Sequence, residues 1–379
     1  MKNPRKFAVG LLLVGVALLA ASCGGIVNPQ GWASPAIDGP NAYYLQSKDH
    51  LAAITFAASG DATASWTFPD KNKPDQKNLK LEAIYGTPAV DGDTVYDASY
   101  SGAVFAINKK DGTLRWIRTD LTGSVIASPA LTSNYLAVGT VDKHLYLMNK
   151  SDGSPAPGWP KGGITLKDGI WAQPVVKGDT LYVATMGGDV EALKLADASS
   201  VWNKPFHVSG AVADLAALDD SHLFVPSLNK QVYIVNISDG TAPNAGFLAS
   251  DWVWTRPAVS SGIVYFGDFS GSVYAVDITT SSQVWKYDTG GKQKVKAAPA
   301  IVQDTLVVAD EKTLVHFIDA RTGALRNRMP LPDTNAGKVR ADVVALADGT
   351  ALIATTGGKL YKADPKNTTL TAVSVGTAQ

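Results

Sequence analysis

Residues 86–116 read GTPAVDGDTVYDASYSGAVFAINKKDGTLRW. Three short runs with alternating apolar side chains are separated by turns that contain glycine; the runs are Thr94–Ala98, Ala103–Asn108 and Leu114–Trp116. Val, Tyr, Phe and Ile in period-two alternation between such turns are typical of tight antiparallel β-hairpins. No part of this stretch has the 3.6-residue apolar period of a helix. The stretch therefore predicts a small meander of strands.

The same pattern recurs along the chain. With Pro88 as the reference, eight equivalent positions follow one another at intervals of 41 to 53 residues: Pro35, Pro88, Pro129, Pro174, Leu215, Pro257, Pro299 and Val343. A small residue stands two positions before each: Ala33, Gly86, Ala127, Ala172, Ala213, Thr255, Ala297 and Ala341. Such periods mark propellers and solenoids, and strands crowded around the axis of a closed ring require small side chains. The sequence predicts an all-β fold, an eight-bladed β-propeller of four-stranded antiparallel blades. The longest interval contains a charged insert, Lys71–Lys77, which is predicted to be an exposed loop.

Aromatic residues close most of the units. A Gly-x-x-x-Trp step, as in Gly112–Trp116, leads into the predicted fourth strand, and related tryptophans are Trp66, Trp116, Trp159, Trp202 and Trp285. Trp252 is a displaced candidate in the fifth unit, and Asn327 stands at this position in the seventh. A tryptophan here would bury a large apolar area between adjacent blades and could donate its indole N–H. These residues are predicted to dock each blade onto the next.

The amino terminus carries an export signal. Three basic residues, Lys2, Arg5 and Lys6, precede the apolar stretch Val9–Leu19, and small residues then lead to Cys23. This order is typical of a lipoprotein signal peptide whose cysteine is acylated. An ordinary secretory peptide with an incidental cysteine is the alternative. We expect a signal peptide at 1–22, a lipidated Cys23 with a short linker over 23–30, and one propeller over 31–379, lipid-anchored at the periplasmic face or the cell surface.

Charge argues against one class of partner, and the cysteine content shows how the fold is not stabilised. The 34 basic and 34 acidic residues become 31 and 34 after removal of three basic residues with the signal peptide, a net charge near −3. This balance argues against a nucleic-acid partner, which favours a strongly basic surface. Since Cys23 is the single cysteine, the fold must hold without disulfides.

The unit Ala-x-Asn/Asp-x-x-x-Gly-x-x-x-Trp, present at Ala106–Trp116, resembles the tryptophan-docking repeat of the PQQ-like, quinoprotein-type β-propellers. The resemblance covers nearly all of the chain after the signal peptide. In this superfamily, alcohol dehydrogenases are typically longer, with a disulfide between adjacent cysteines beside the quinone and a bound calcium ion. A second subgroup comprises smaller lipid-anchored propellers of outer-membrane protein assembly, which bind a protein partner and carry no cofactor.

The length of the chain, the signal motif that ends at Cys23 and the predicted number of blades are similar to those of the second subgroup. The resemblance implies a non-catalytic scaffold without a cofactor, with a barrel-assembly component as a candidate protein partner. It does not identify that partner, because no partner-binding loop can be matched residue by residue. A ligand-binding or sensing propeller is the alternative, followed by a PQQ-dependent dehydrogenase, for which the adjacent cysteines are missing.

Ring closure would gather the residues before each inner strand at one mouth of the channel. Three positions before the reference positions stand Trp32, Tyr85, Ile126, Trp171, Val212, Trp254, Lys296 and Arg340. One position before them stand Ser34, Thr87, Ser128, Gln173, Asp214, Arg256, Ala298 and Asp342. With Lys294, these rows predict an aromatic and basic mouth for an anionic or aromatic ligand, formed by Tyr85, Trp171, Trp254, Arg256, Lys294, Lys296 and Arg340. Alternatively, the basic side chains line a solvated channel and pair with Asp214 or Asp342.

No catalytic or metal site is expected. The five histidines show no metal-ligand spacing. Acidic residues recur in turns between the second and third strands: Asp142, Asp189, Asp268 and Asp310. Local hydrogen bonds of Asx turns account for acids at such positions without a bound calcium ion.

Overall fold

A computed structural model describes residues 30–57, 60–291 and 293–376, and the described residues from Gly31 onward form one compact unit. The predicted signal peptide, Cys23 and its lipidation lie outside the described residues. The regular elements of the described ranges are strands, and no helix long and apolar enough to cross a bilayer occurs within them.

Eight antiparallel sheets follow one another along the chain, each built from four consecutive strands, which confirms the predicted eight-bladed propeller. Blades 1 to 4 consist of β1 (Ala36–Asp38), β2 (Asn41–Ser47), β3 (His50–Phe56), β4 (Ala62–Phe68), β5 (Ala89–Asp91), β6 (Thr94–Ala98), β7 (Val104–Asn108), β8 (Leu114–Arg118), β9 (Ala130–Leu131), β10 (Tyr135–Gly139), β11 (His144–Asn149), β12 (Ile164–Thr165), β13 (Val175–Lys177), β14 (Thr180–Ala184), β15 (Asp189–Lys194) and β16 (Phe206–His207). Blades 5 to 8 consist of β17 (Ala216–Ala217), β18 (His222–Pro226), β19 (Gln231–Asn236), β20 (Phe247–Leu248), β21 (Ala258–Ser260), β22 (Ile263–Gly267), β23 (Ser272–Asp277), β24 (Gln283–Asp288), β25 (Ala300–Val302), β26 (Thr305–Ala309), β27 (Leu314–Asp319), β28 (Leu325–Pro330), β29 (Val344–Ala345), β30 (Ala351–Ala354), β31 (Leu360–Asp364) and β32 (Thr369–Ala372).

The ring closes between blade 8 and blade 1. A last short strand, β33 (Val375–Gly376), pairs in parallel with β4, placing Val375 opposite Ala62. Buried apolar residues form eight clusters, each made by two neighbouring blades. One of these clusters unites Tyr44 of blade 1 with Leu352 of blade 8. Closure is therefore hydrophobic as well as hydrogen-bonded, and burial between blades supplies the main stabilisation of the ring.

Five closing tryptophans dock blades 1, 2, 3, 4 and 6 onto the blade that follows. Each indole N–H donates to a backbone carbonyl oxygen of the following blade: Trp66 to Lys109 at 2.8 Å, Trp116 to Lys150 at 2.9 Å, Trp159 to Leu195 at 2.7 Å, Trp202 to Ile237 at 2.9 Å and Trp285 to Ala320 at 2.9 Å. Four of the rings lie on a glycine of the next blade, namely Gly112, Gly153, Gly240 and Gly323. These glycines have positive φ angles and leave no room for a Cβ atom beneath the indole.

Two expectations about individual residues need correction. Trp252 does not close blade 5, because it lies in the loop between β20 and β21 with its ring 6.0 Å from that of Phe269. Most of the Lys71–Lys77 insert is exposed, but Lys73 is half-buried, and Gln76 is buried and donates to the carbonyl oxygen of Gly112 at 2.9 Å. The insert is thus tied to the turn of blade 2 on which Trp66 docks.

Candidate functional site at the channel mouth

The residues that precede the inner strands surround a cavity of about 80 Å³ that is open to solvent. Six of the seven predicted mouth residues line it: Tyr85, Trp171, Trp254, Arg256, Lys296 and Arg340. Lys294 is not part of the lining, and its ammonium group lies 4.8 Å from the centre of the Phe269 ring. The tertiary structure therefore brings these six side chains together from five different blades.

The row one position before each inner strand ties neighbouring blades together. Side-chain oxygens of this row accept backbone N–H groups of the adjacent blade at 2.7 to 3.0 Å: Ser34 from Asp342, Asp342 from Ala298, Asp214 from Arg256, and Ser128 from Thr87. Buried N–H groups are costly to leave unpaired, so these bonds stabilise the ring. This row is accordingly a structural belt of the mouth.

Arg256 is paired within this belt. Its Nη2 lies 3.2 Å from Oδ1 of Asp214, as the solvated-channel alternative predicts for one of the basic residues. The carboxylate of Asp214 raises the pKa of Arg256 against the opposing effect of burial, and Asp342 adds to the rise. Burial raises the pKa of Asp342, although Arg256 opposes this shift. The charge of Arg256 is therefore largely neutralised by the belt.

The other basic residues meet an acid that the sequence reasoning missed. Glu311 lies in the turn between β26 and β27, and its Oε1 is 2.9 Å from Nη2 of Arg340, 3.3 Å from Nζ of Lys296 and 3.7 Å from Nζ of Lys338. The solvated-channel alternative pairs Arg340 with Asp214 or Asp342, whereas Arg340 pairs with Glu311. Burial pushes the pKa of Glu311 upward, but Lys296 and Arg340 outweigh it and hold the pKa below its usual value.

Alignment of the turns between second and third strands could have revealed Glu311. Its backbone N–H donates to the carbonyl oxygen of Lys294 at 2.9 Å, and the equivalent N–H in blades 2 to 6 and blade 8 makes the same bond. The residues at that position are Tyr100, Val141, Met186, Leu228, Phe269 and Thr356. Glu311 is thus the charged exception among these seven aligned turns.

Aromatic rings frame the mouth on two sides. Trp171 and Trp254 meet edge to face at 5.9 Å between ring centres, and Trp254 stacks on Phe269 at 6.0 Å. On the other side, the guanidinium of Arg340 lies 5.5 Å from the centre of the Trp32 ring. Cations held over aromatic faces are stabilised by the ring quadrupole. The mouth therefore combines fixed cations with apolar faces.

Three of the four acidic turn residues, Asp142, Asp268 and Asp310, accept local hydrogen bonds, whereas Asp189 pairs with His207 and Lys167. Oδ1 of Asp268 accepts the backbone N–H groups of Ser270 at 2.9 Å and of Ser272 at 3.0 Å. Within the described ranges, no three His, Cys, Asp or Glu side chains are grouped to hold a metal ion.

Comparison with known proteins identifies the family. A family model described as "Outer membrane protein assembly factor BamB" matches residues 27–116, 57–206, 158–255 and 248–377. This chain belongs to the BamB family. The resemblance inferred from the tryptophan repeat is confirmed by this match, which covers nearly all of the propeller.

Individual BamB proteins are distant from this chain in sequence. The BamB of Legionella pneumophila (strain Paris) is 27% identical over 314 residues, which cover 70% of this chain and 80% of that protein. The crystal structure of BamB from Moraxella catarrhalis superimposes with a TM-score of 0.65 at 16% identity, covering 88% of this chain and 94% of the other, and this likeness shows the fold. A tetrathionate hydrolase of Acidithiobacillus ferrooxidans is 23% identical over 257 residues, 56% of this chain and 50% of that enzyme.

Proposed function

We propose that this protein is a non-catalytic scaffold of outer-membrane protein assembly, held at the membrane by a lipid on Cys23 and binding a protein component of the barrel-assembly machinery. The observation that carries the proposal is the BamB family match across residues 27–377. A rigid ring with eight interblade cores can present loops at fixed positions, which lowers the entropic cost of binding a partner. The similarity to tetrathionate hydrolase covers 56% of this chain and half of that enzyme.

Affinity capture of the full-length protein from detergent-solubilised membranes tests the scaffold role. We expect recovery of a barrel-assembly protein in near-stoichiometric amount. Recovery of the propeller alone, under conditions that keep a known membrane complex of the same host intact, would contradict the proposal.

The anchor is tested separately with Cys23→Ser. This variant should leave the membrane fraction while retaining the folded propeller, because one residue outside the compact unit is changed. Membrane retention of the serine variant would exclude lipidation at Cys23. The dehydrogenase alternative predicts that added pyrroloquinoline quinone and calcium change the tryptophan fluorescence saturably and support dye-linked alcohol oxidation, and we expect neither.

A further inference from the structure

We propose that the basic side of the channel mouth, formed by Lys296, Lys338 and Arg340 around Glu311, is a peptide-binding site. It would take a carboxylate side chain of an acidic segment from a protein partner, with a neighbouring apolar side chain against the aromatic rings of the mouth. This inference rests on the proposed scaffold function, because a protein supplies the segment.

The charge balance of this cluster is the first observation. Three cations share the single carboxylate of Glu311, at distances of 2.9 to 3.7 Å. Two positive charges are therefore left without compensation inside the cluster. The side chains of Lys296 and Arg340 are each 23% exposed, so solvent screens them less than ordinary surface cations. An incoming carboxylate would compensate one of these two charges.

The fixed geometry of these cations is the second observation. Arg340 donates from both Nε and Nη2 to Oε1 of Glu311, at 3.0 and 2.9 Å, while its guanidinium lies over Trp32. The ammonium group of Lys296 lies 5.2 Å from the centre of the Phe269 ring. Side chains held in this way lose little conformational entropy when a ligand binds, and a planar guanidinium matches a carboxylate well.

The aromatic side of the mouth favours a peptide over a small free anion. Trp171, Trp254 and Phe269 form a continuous set of ring contacts beside the cations. A small anion would leave this apolar surface in contact with water. An acidic side chain followed by an apolar one would contact both the cations and the aromatic rings of the mouth.

Glu311 should weaken the binding of an acidic peptide, whereas the cations should strengthen it. It already fills the place of a carboxylate in the empty mouth, so it competes with the incoming group for Arg340 and Lys296. Its removal should strengthen binding of an acidic peptide, whereas removal of Arg340 should weaken it. If the cluster were purely structural, the two substitutions would not change the peptide affinity in opposite directions.

Fluorescence anisotropy of a labelled hexapeptide of alternating Glu and Phe, with the purified full chain in detergent, measures this difference. Arg340→Gln should weaken binding about ten- to a hundredfold, the loss typical of one charge-assisted hydrogen bond. Glu311→Gln should tighten binding about three- to tenfold by the same electrostatic argument. Lys338→Gln, at a side chain that is 58% exposed, provides a further variant that leaves the buried contacts in place and should weaken binding.

Arg326→Gln is the matched control. Arg326 lies on β28 of blade 7 and pairs with Asp304 and Asp319 at the opposite end of the blade, and its loss changes the net charge as Arg340→Gln does. We expect it to leave the peptide affinity unchanged. An equal loss in Arg326→Gln, or unchanged affinity in both Arg340→Gln and Glu311→Gln, would overturn the site.

Competition with a small anion distinguishes a site for a peptide carboxylate from a site for free anions. If citrate displaces the peptide with an affinity as high as the peptide's own, the site binds free anions and the peptide assignment is overturned. Partner capture is independent of this assay. Peptide binding without a recovered barrel-assembly protein would refute the scaffold function and keep the site, whereas a recovered partner with no peptide binding would refute the site alone.

Discussion

Asn327 of blade 7 donates its side-chain amide to the carbonyl oxygen of Thr368 in blade 8, at 3.2 Å. In five other blades this position holds a tryptophan that docks onto the next blade. Two further differences accompany this asparagine in place of tryptophan. Asn327 is paired with Phe317 on β27, whereas Trp66, Trp116 and Trp285 are each paired with an alanine. Thr368 has a φ of 50°, at the turn position where Trp66 meets Gly112. In blade 7 the large aromatic side chain, Phe317, therefore lies on the third strand instead of the fourth.

The first prediction concerns this exchange. Asn327→Trp alone should destabilise the protein by about 1–3 kcal/mol, because Phe317 and Thr368 already fill the space that an indole needs. The triple variant, which also carries Phe317→Ala and Thr368→Gly, should be more stable than the sum of the three single changes predicts, by more than about 1 kcal/mol. Chemical denaturation of the four variants measures the free energies of unfolding. Simple additivity would show that the three positions are not coupled.

The second prediction concerns the docking of Trp202 on Gly240. Trp202 is 3% exposed, so Trp202→Ala should cost about 3–5 kcal/mol. Trp116 is half-buried, so Trp116→Ala should cost less. Gly240→Ala should also destabilise, since a Cβ there would lie 2.6 Å from the indole and φ is 71°. The double variant should be more stable than additivity predicts, because the missing ring makes room for the methyl group. Equal losses for Trp202→Ala and Trp116→Ala in urea denaturation would contradict the role of burial.

A buried carboxyl group interrupts the core between blades 1 and 2. Asp97 on β6 is fully buried; its Oδ1 accepts the N–H of Ala98 at 2.7 Å, and Oδ2 has no hydrogen-bond partner among the described residues. The pairing of second and third strands places large apolar residues at the equivalent position of the other blades: Tyr44, Val138, Val183, Val225, Phe266, Val308 and Ile353. Burial raises the pKa of Asp97 well above its usual value.

The third prediction is that Asp97→Val stabilises the protein, by about 1–3 kcal/mol near neutral pH, because an unpaired buried polar atom is removed. The folded state binds the Asp97 proton more tightly than the unfolded state does. Stability of the wild type should therefore fall as pH rises from about 4, the ordinary pKa, towards the raised pKa, by up to about 1.4 kcal/mol per pH unit. The gain from Asp97→Val should grow over the same window.

Urea denaturation of wild type, Asp97→Val and Asp97→Asn at a series of pH values checks this. The asparagine variant cannot ionise, so it should lose the pH dependence while keeping a buried polar group. A gain from valine that does not vary with pH would mean that Asp97 does not titrate within the window.

The fourth prediction concerns the pair of Asp214 and Arg256 at the mouth. Asp214 accepts both the backbone N–H of Arg256 at 3.0 Å and its guanidinium, so Asp214→Ala should cost more stability than Arg256→Ala. Their coupling energy in a double-mutant cycle should exceed about 1 kcal/mol, because the pair is partly desolvated. Lys177 and Asp220, a pair in which Asp220 is fully exposed, provide the control and should couple by less than about 1 kcal/mol. Equal coupling in both pairs would show that the mouth is as well solvated as the surface.

Much of this protein can be inferred from its sequence by itself. Small residues such as Ala127 and Ala172 recur at fixed distances because every inner strand faces the same crowded axis, and the recurrence reveals blade number and strand order. The same register placed Trp171, Lys296 and Arg340 at one mouth, since residues equivalent in the repeat are equivalent around the ring.

Only the tertiary structure decided the partners of these side chains. Glu311 and Arg340 are 29 residues apart, and their ion pair depends on how a turn of blade 7 projects over the start of blade 8. Arg256 met Asp214 of the preceding blade, and Trp252 turned to Phe269 instead of closing its blade. Periodic spacing determines which blade a residue belongs to and which end it occupies. Pairing within a few ångströms depends on side-chain length, direction and competition between neighbours, which no repeat encodes.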